Sequence, residues 1–348
     1  MNFKALIISS SVLLALLPAQ AQNDGRRRSL ASDTLVCRFC DLRYEDLSLR
    51  NFKSVDVTGA FLHGANFSWS VLRNSSLSSS NLIQVRMEWS DLDGADLSKT
   101  TLENATMFRS SFRGANFHMA NLSGANLNRS DMAGVSMVAA VMRRANLTAA
   151  RFTNANLRQA DLSYSNLENS RVRETDLQGS TLNNVNFEGC DLKNSDLSGS
   201  SIRGASFVST FLQQVNFRNA DLSNAKFQNA VLEALNFSGA NLSGADLTGA
   251  TLRNTILVGA NLCKTKLPDG SIGACPPAPE PDPDEAPAGK AAADKAAADK
   301  APAAAPDALP GLAPAPGFPP PAAPPGLPSS MPSGQGEPRF PSTSIKGV

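Results

Sequence analysis

Residues 239–252 read GANLSGADLTGATL and place Leu242, Leu247 and Leu252 five positions apart. Neither regular secondary structure repeats at five. A strand repeats every two residues and a helix every 3.6. At about 100° per residue, five helical residues turn about 500°, which scatters the leucines around the helix. A continuous strand fails too, because an odd period sends successive leucines to opposite faces.

The period runs far beyond this stretch. Every residue whose number ends in 2 or 7, from Leu42 to Leu267, is Leu, Phe, Met, Val or Ile, forty-six positions without a slip. Two residues before each such centre stands a small residue, as at Ala240, Ala245, Ala250, Ser180 and Cys190; Glu45, Arg50 and Leu235 are exceptions. In an extended segment residues two apart share a face. The centre and the small residue therefore point inward, and the Asn or Asp between them is expected to point out. The remaining two residues, such as Ser243-Gly244 and Thr248-Gly249, are turn formers. Each pentapeptide is one short side and one corner. Leu162 is then a core residue and Ser163 a corner residue expected to tolerate replacement.

This run resembles the pentapeptide-repeat family, whose consensus is A-(D/N)-L-x-x. The opening Cys37-Arg38-Phe39-Cys40-Asp41-Leu42 and the closing Leu267-Pro268-Asp269-Gly270 look like family ends. The resemblance covers about two thirds of the chain. It implies an all-β fold, a right-handed quadrilateral β-helix with four pentapeptides per coil. Forty-six repeats make eleven to twelve coils, a rod about 55 Å long at roughly 4.8 Å per stacked strand. The cysteines fit as end closures. Cys263 and Cys275 are expected to staple the last turn, with Cys37 and Cys40 paired or near-paired at the first. Cys37-x-x-Cys40 lacks the βαβ context of a redox site. Cys190, in a small inward slot, reads as a free buried thiol.

Four segments follow: 1–21, 22–36, 37–275 and 276–348. The first is read as a signal peptide, with Lys4, an apolar run over 5–17, Pro18 and Ala19-Gln20-Ala21 as cleavage site. The mature chain would begin at Gln22, without a lipoprotein cysteine and without a membrane span. Residues 22–36 are a polar lead carrying Arg26-Arg27-Arg28. Residues 37–275 carry the repeat. The last 73 residues hold 20 of the 22 prolines. So Pro/Ala-rich a tract buries too little apolar surface to fold and is expected to be disordered.

Little in the chain points to catalysis, a cofactor or a metal. The only histidines, His63 and His118, lie almost three coils apart, which excludes a shared metal site. The glycines recur as corners rather than as a phosphate loop. Residues 20 apart stack vertically, so surface columns can be read from the numbering. One column runs Trp69, Trp89, Arg109, Arg129, with Phe108 beside it. It is the candidate binding strip, for a protein or a glycan; the plain alternative is ladder packing that stiffens the rod. A second column gathers Lys53, Arg73, Arg113, Arg173, Lys193 and Arg253, interrupted by Asp93 and flanked by Asp191 and Glu174. It reads as a mixed solvated surface. A third sets Asp176 under Asp196, like charges that would invite a cation.

The best-known relatives implied by the resemblance mimic DNA, inhibit gyrase and protect it from quinolones. Such mimicry needs a strongly negative rod. Residues 37–275 hold 23 Lys/Arg against 21 Asp/Glu, and this balance gives no electrostatic case for nucleic acid either. The sequence therefore leads to a non-catalytic rod, periplasmic or secreted from a bacterium. It would act as a structural scaffold or protein-interaction module; the alternative is a glycan- or wall-binding module using the Trp column.

Overall fold

The computed structural model describes residues 36–275. The expected signal segment 1–21, the lead up to residue 35 and the tail 276–348 lie outside the described residues. Within 36–275 the bridges along the rod are parallel and join each residue to the one twenty positions on: Asn81 to Thr101, Asn121 to Val141, Asn241 to Asn261. Four sides of five residues make each coil. The ladder begins at Val36, bridged to Asp56, one residue ahead of the expected start.

A full accounting of backbone donors explains why the repeat is five. In the pentapeptide 241–245, Asn241 N–H donates backward to Ala220 O at 2.9 Å. Leu242 and Gly244 donate forward to Asn261 O and Cys263 O, at 2.8 and 2.9 Å. Ala245 closes the corner by donating to Leu242 O at 2.9 Å. Only Ser243 N–H has no backbone acceptor, and it donates to Asn241 Oδ1 at 3.2 Å. This corrects the outward reading of the Asn/Asp slot. Its side chain is mostly half-buried and folds over its own corner to take the one amide that the ladder leaves over. Where the slot holds Ser111 or Ser201, the acceptor comes from the coil before: Asp93 Oδ1 takes Arg113 N–H and Asn183 Oδ1 takes Arg203 N–H, both at 2.9 Å. Pro268 stands in the leftover-amide slot, where a missing N–H costs the ladder nothing.

The fourth residue of every corner from Phe39 to Lys264 has φ between +50° and +70°. With the closing hydrogen bond this is a type II turn. Gly and Asn dominate the slot and no Val, Ile or Thr occupies it, since a β-branched residue is badly strained at positive φ. Several corners stack Asn over Gly: the Asn104 amide oxygen leans into the space that a Cβ on Gly124 would fill.

The centres form one continuous apolar column, fully buried over most of its length. Phe187, Phe207 and Phe227 stack at 4.8 Å centroid spacing, and Phe217 and Phe237 at 5.1 Å. Leu235 is the one large residue in a small slot of the rod's interior and is wholly buried. No corner bond closes 232–235, nor 212–215 and 252–255 on the coils either side. The added bulk of Leu235, at the middle of the three, spreads these corners. The chain there straightens into three strands, β1 Phe211–Gln213, β2 Val231–Glu233 and β3 Thr251–Arg253, which pair in parallel in that order.

Both ends are closed as expected from the cysteines. Cys37 pairs with Cys40 and Cys263 with Cys275. The C-terminal residues fold back antiparallel, with Lys266 bridged to Ile272 and Gly273 N–H on Thr265 O at 2.8 Å. Cys190 is free and buried, 3.2 Å from Ser170 Oγ, and burial pushes its thiol pKa up to about 12.

Candidate functional site

The structure brings Trp69, Trp89 and Arg109 together on one corner. All three sit in the positive-φ slot of successive coils, which throws their side chains out of the rod. The indoles stack with centroids 5.0 Å apart and planes within 5°. Arg109 Cζ lies 4.6 Å over the Trp89 ring. Trp69 is 56% exposed and Trp89 38%. Because the coils stack at about the same spacing, the ring normals run along the rod and the ring edges face solvent. Trp89 is covered on both faces. Arg129 continues the column, exposed. Phe108, expected to point outward, is half-buried beside Arg109. Leu49 begins the same column and is 77% exposed, an extension the sequence reading did not include. Below Trp69, Ser68 hydrogen-bonds the nearly buried Glu88 carboxylate, which also lies 3.4 Å from Arg86.

The basic column is not a bare cationic side. Seven arginines pair with an aspartate eighteen residues ahead, among them Arg73–Asp91 at 2.5 Å, Arg158–Asp176 at 3.1 Å and Arg203–Asp221 at 2.5 Å. A corner arginine leans forward onto the Asx slot of the next coil, a diagonal that vertical columns do not reveal. Asp176 and Asp196 do stack. Arg158 answers the first, and Gln178 and Asn216 donate to the second at 2.9 and 3.0 Å. Among the described residues no group of three His, Cys, Asp or Glu is placed to hold a metal.

An open groove of about 780 Å³ lies on the neighbouring corner, lined by Glu103, Asn104, Arg143, Arg144, Asp161, Ser163 and Tyr164 among others. Its signal in the sequence is the column Asn104, Gly124, Arg144, Tyr164, where Gly124 leaves a gap. Ser163 is not the free corner residue it was expected to be. It is buried, and its hydroxyl donates to Asp161 Oδ1 at 2.6 Å. Burial raises the Asp161 pKa, but the Ser163 hydroxyl and amide and Arg143 outweigh it and hold the carboxyl below its ordinary value.

Two family models match the chain. "Pentapeptide repeats (8 copies)" matches 51–88 and 70–107, and "Pentapeptide repeat region" matches 105–182 and 180–262. Together they run unbroken from 51 to 262. The chain belongs to the pentapeptide-repeat family, and its fold is the right-handed quadrilateral β-helix of that family. Solved structures similar to it include HetL, a pentapeptide repeat protein involved in heterocyst differentiation regulation from the cyanobacterium Nostoc sp. strain PCC 7120. It is 26% identical, with 70% of this chain and 93% of that one covered and a TM-score of 0.35. QnrB1, a plasmid-mediated fluoroquinolone resistance protein, is 17% identical over 64% of this chain and 87% of its own, with a TM-score of 0.26. A pentapeptide repeat protein of the Arabidopsis thaliana thylakoid lumen is 26% identical over 38% and 71%, with a TM-score of 0.18. No curated protein sequence matches significantly.

Proposed function

We propose that this protein is an exported bacterial interaction rod, non-catalytic, which holds side-chain columns on a stiff frame for a protein partner. The observation that carries the reading is the exposed Trp69–Trp89–Arg109 stack on a rod whose basic side is broken up by diagonal Arg–Asp pairs. Large exposed aromatics cost solubility and are typical anchors of protein interfaces. The edge-on rings bear on the choice between protein and glycan. A sugar packs on a ring face, and here the stack covers both faces of Trp89 and one face of Trp69. Export rests on the residues of 1–21, and the near-neutral rod charge argues against DNA mimicry. Among the described residues no helix is long and apolar enough to cross a membrane.

The test pairs cell fractionation with capture. Mature protein and a Trp69→Ala/Trp89→Ala variant are immobilised and exposed to envelope extract. A protein retained by the wild type and lost by the variant is the expected result. Cytoplasmic location, or a sugar polymer as the retained ligand, would overturn the reading.

A further inference from the structure

The strip is longer and more polar in its design than an aromatic patch. Leu49, Trp69, Trp89, Arg109 and Arg129 occupy the same corner slot on five successive coils. Three are apolar and the next two cationic. Four coil steps span about 19 Å, the length of about six extended residues.

Neither arginine takes part in the diagonal pairing. The arginines that pair forward, Arg143 among them, stand one residue before the positive-φ residue and reach the aspartate eighteen positions on. Arg109 and Arg129 stand in the positive-φ slot itself, off that diagonal. Neither has an acidic partner within ion-pair distance among the described residues, although Asp131 lies two positions from Arg129 and is taken by Arg113 and Arg151 at 3.8 and 3.9 Å. Glu88, next to Trp89 in the chain, is held by Ser68 and Arg86. Two like charges one coil apart repel each other. They gain most from a carboxylate supplied from outside, which guanidinium groups bind in a paired, oriented way.

We infer that this corner binds an extended acidic peptide segment of a partner protein, its apolar side chains against Leu49 and the indole edges and its carboxylates on Arg109 and Arg129. The inference rests on the interaction-rod reading and names the chemistry of its partner.

The experiment uses the protein's own reporters, because Trp69 and Trp89 are its only tryptophans. The mature chain is titrated with the acetylated hexapeptide LLGEDE and with its reversed sequence, following Trp fluorescence. A second peptide carries Lys in place of the acids. The variant is Arg109→Glu/Arg129→Glu; Glu174 already occupies the same kind of slot at φ +53°, so the backbone accepts it, and unchanged circular dichroism checks the fold. The expected result is saturable binding of one acidic order to the wild type, at least tenfold weaker on the variant. The lysine peptide should show the reverse preference. Three outcomes overturn the inference: no saturable change with either order at millimolar peptide, equal binding to both proteins, or equal binding of free polyglutamate lacking the apolar half. In any of these, capture through another surface would leave the rod reading standing, whereas loss of envelope association would remove that reading instead.

Discussion

The donor accounting assigns each Asn or Asp of the repeat one task, and Asp161 tests it. Its Oδ1 takes Ser163 N–H at 3.0 Å and Ser163 O–H at 2.6 Å, while Oδ2 takes Arg143 Nε. Asp161→Asn keeps an oxygen for the amide and loses the charge. Asp161→Ala leaves a buried N–H and a buried hydroxyl without their acceptor. A buried unsatisfied donor costs about 1–3 kcal/mol, whereas an exposed arginine pair is worth about 0–1 kcal/mol. Urea unfolding should therefore show Asp161→Asn within about 1 kcal/mol of wild type and Asp161→Ala about 1–3 kcal/mol less stable. The pH dependence has a definite sign. The folded carboxyl sits below its ordinary value of 3.8, so its charge stabilises the fold above the ordinary value and the effect is lost as pH falls through the folded one. The gap between wild type and Asp161→Asn should close on acidification. Equal losses in the Asn and Ala variants at neutral pH would refute the capping role.

Three further outcomes follow from the packing. Phe207→Ala removes a wholly buried ring stacked on both sides and should cost about 3–5 kcal/mol, while Phe211→Ala, at 53% exposure, should cost less than 1 by the same urea assay, about the scatter of surface changes. Cys190, buried and with its thiol shifted up to about 12, should resist maleimide at pH 7 until the rod is unfolded, when mass spectrometry should find one adduct per chain. Gly124→Ala should destabilise more than Gly114→Ala: both are at positive φ, but only the first drives a methyl into the Asn104 amide. Equal melting temperatures for the two glycine variants would sink the stacking argument.

The fold was legible because one slot of the repeat carries an unbroken chemical signal. Buried centres admit only large apolar side chains, and forty-six of them stand in phase. The vertical Trp69–Trp89 neighbours follow from the same numbering, whereas the cysteine pairings were expected from their place at the two ends. What the numbering hid was sideways. Arg73 meets Asp91 rather than Asp93, the residue one coil above it, because corner side chains lean along the direction of winding. Asn241 appeared outward because its neighbours point in, yet its oxygen turns back to Ser243. Ser163 looked like any corner residue until the bond to Asp161 buried it. Leu235 was visible as an exception, but its effect on the corners above and below depends on volume shared between coils. Leu49 does not announce itself as part of the Trp column, because it shares the slot but not the aromatic signal.

The twenty-residue offset between bridged partners has a consequence for how such a chain can change. Deleting any five residues in phase leaves core, corner and capping slot intact, since all sides are built alike. Yet everything downstream is rotated by a quarter turn relative to everything upstream. Losing one pentapeptide between Trp69 and Trp89 would carry the second indole around to the next edge and dissolve the strip without harming the rod. Five residues are thus the grammar of the interior, while twenty are the address system of the exterior. Evolution can lengthen this molecule in either unit, but only whole turns keep its surface legible to a partner.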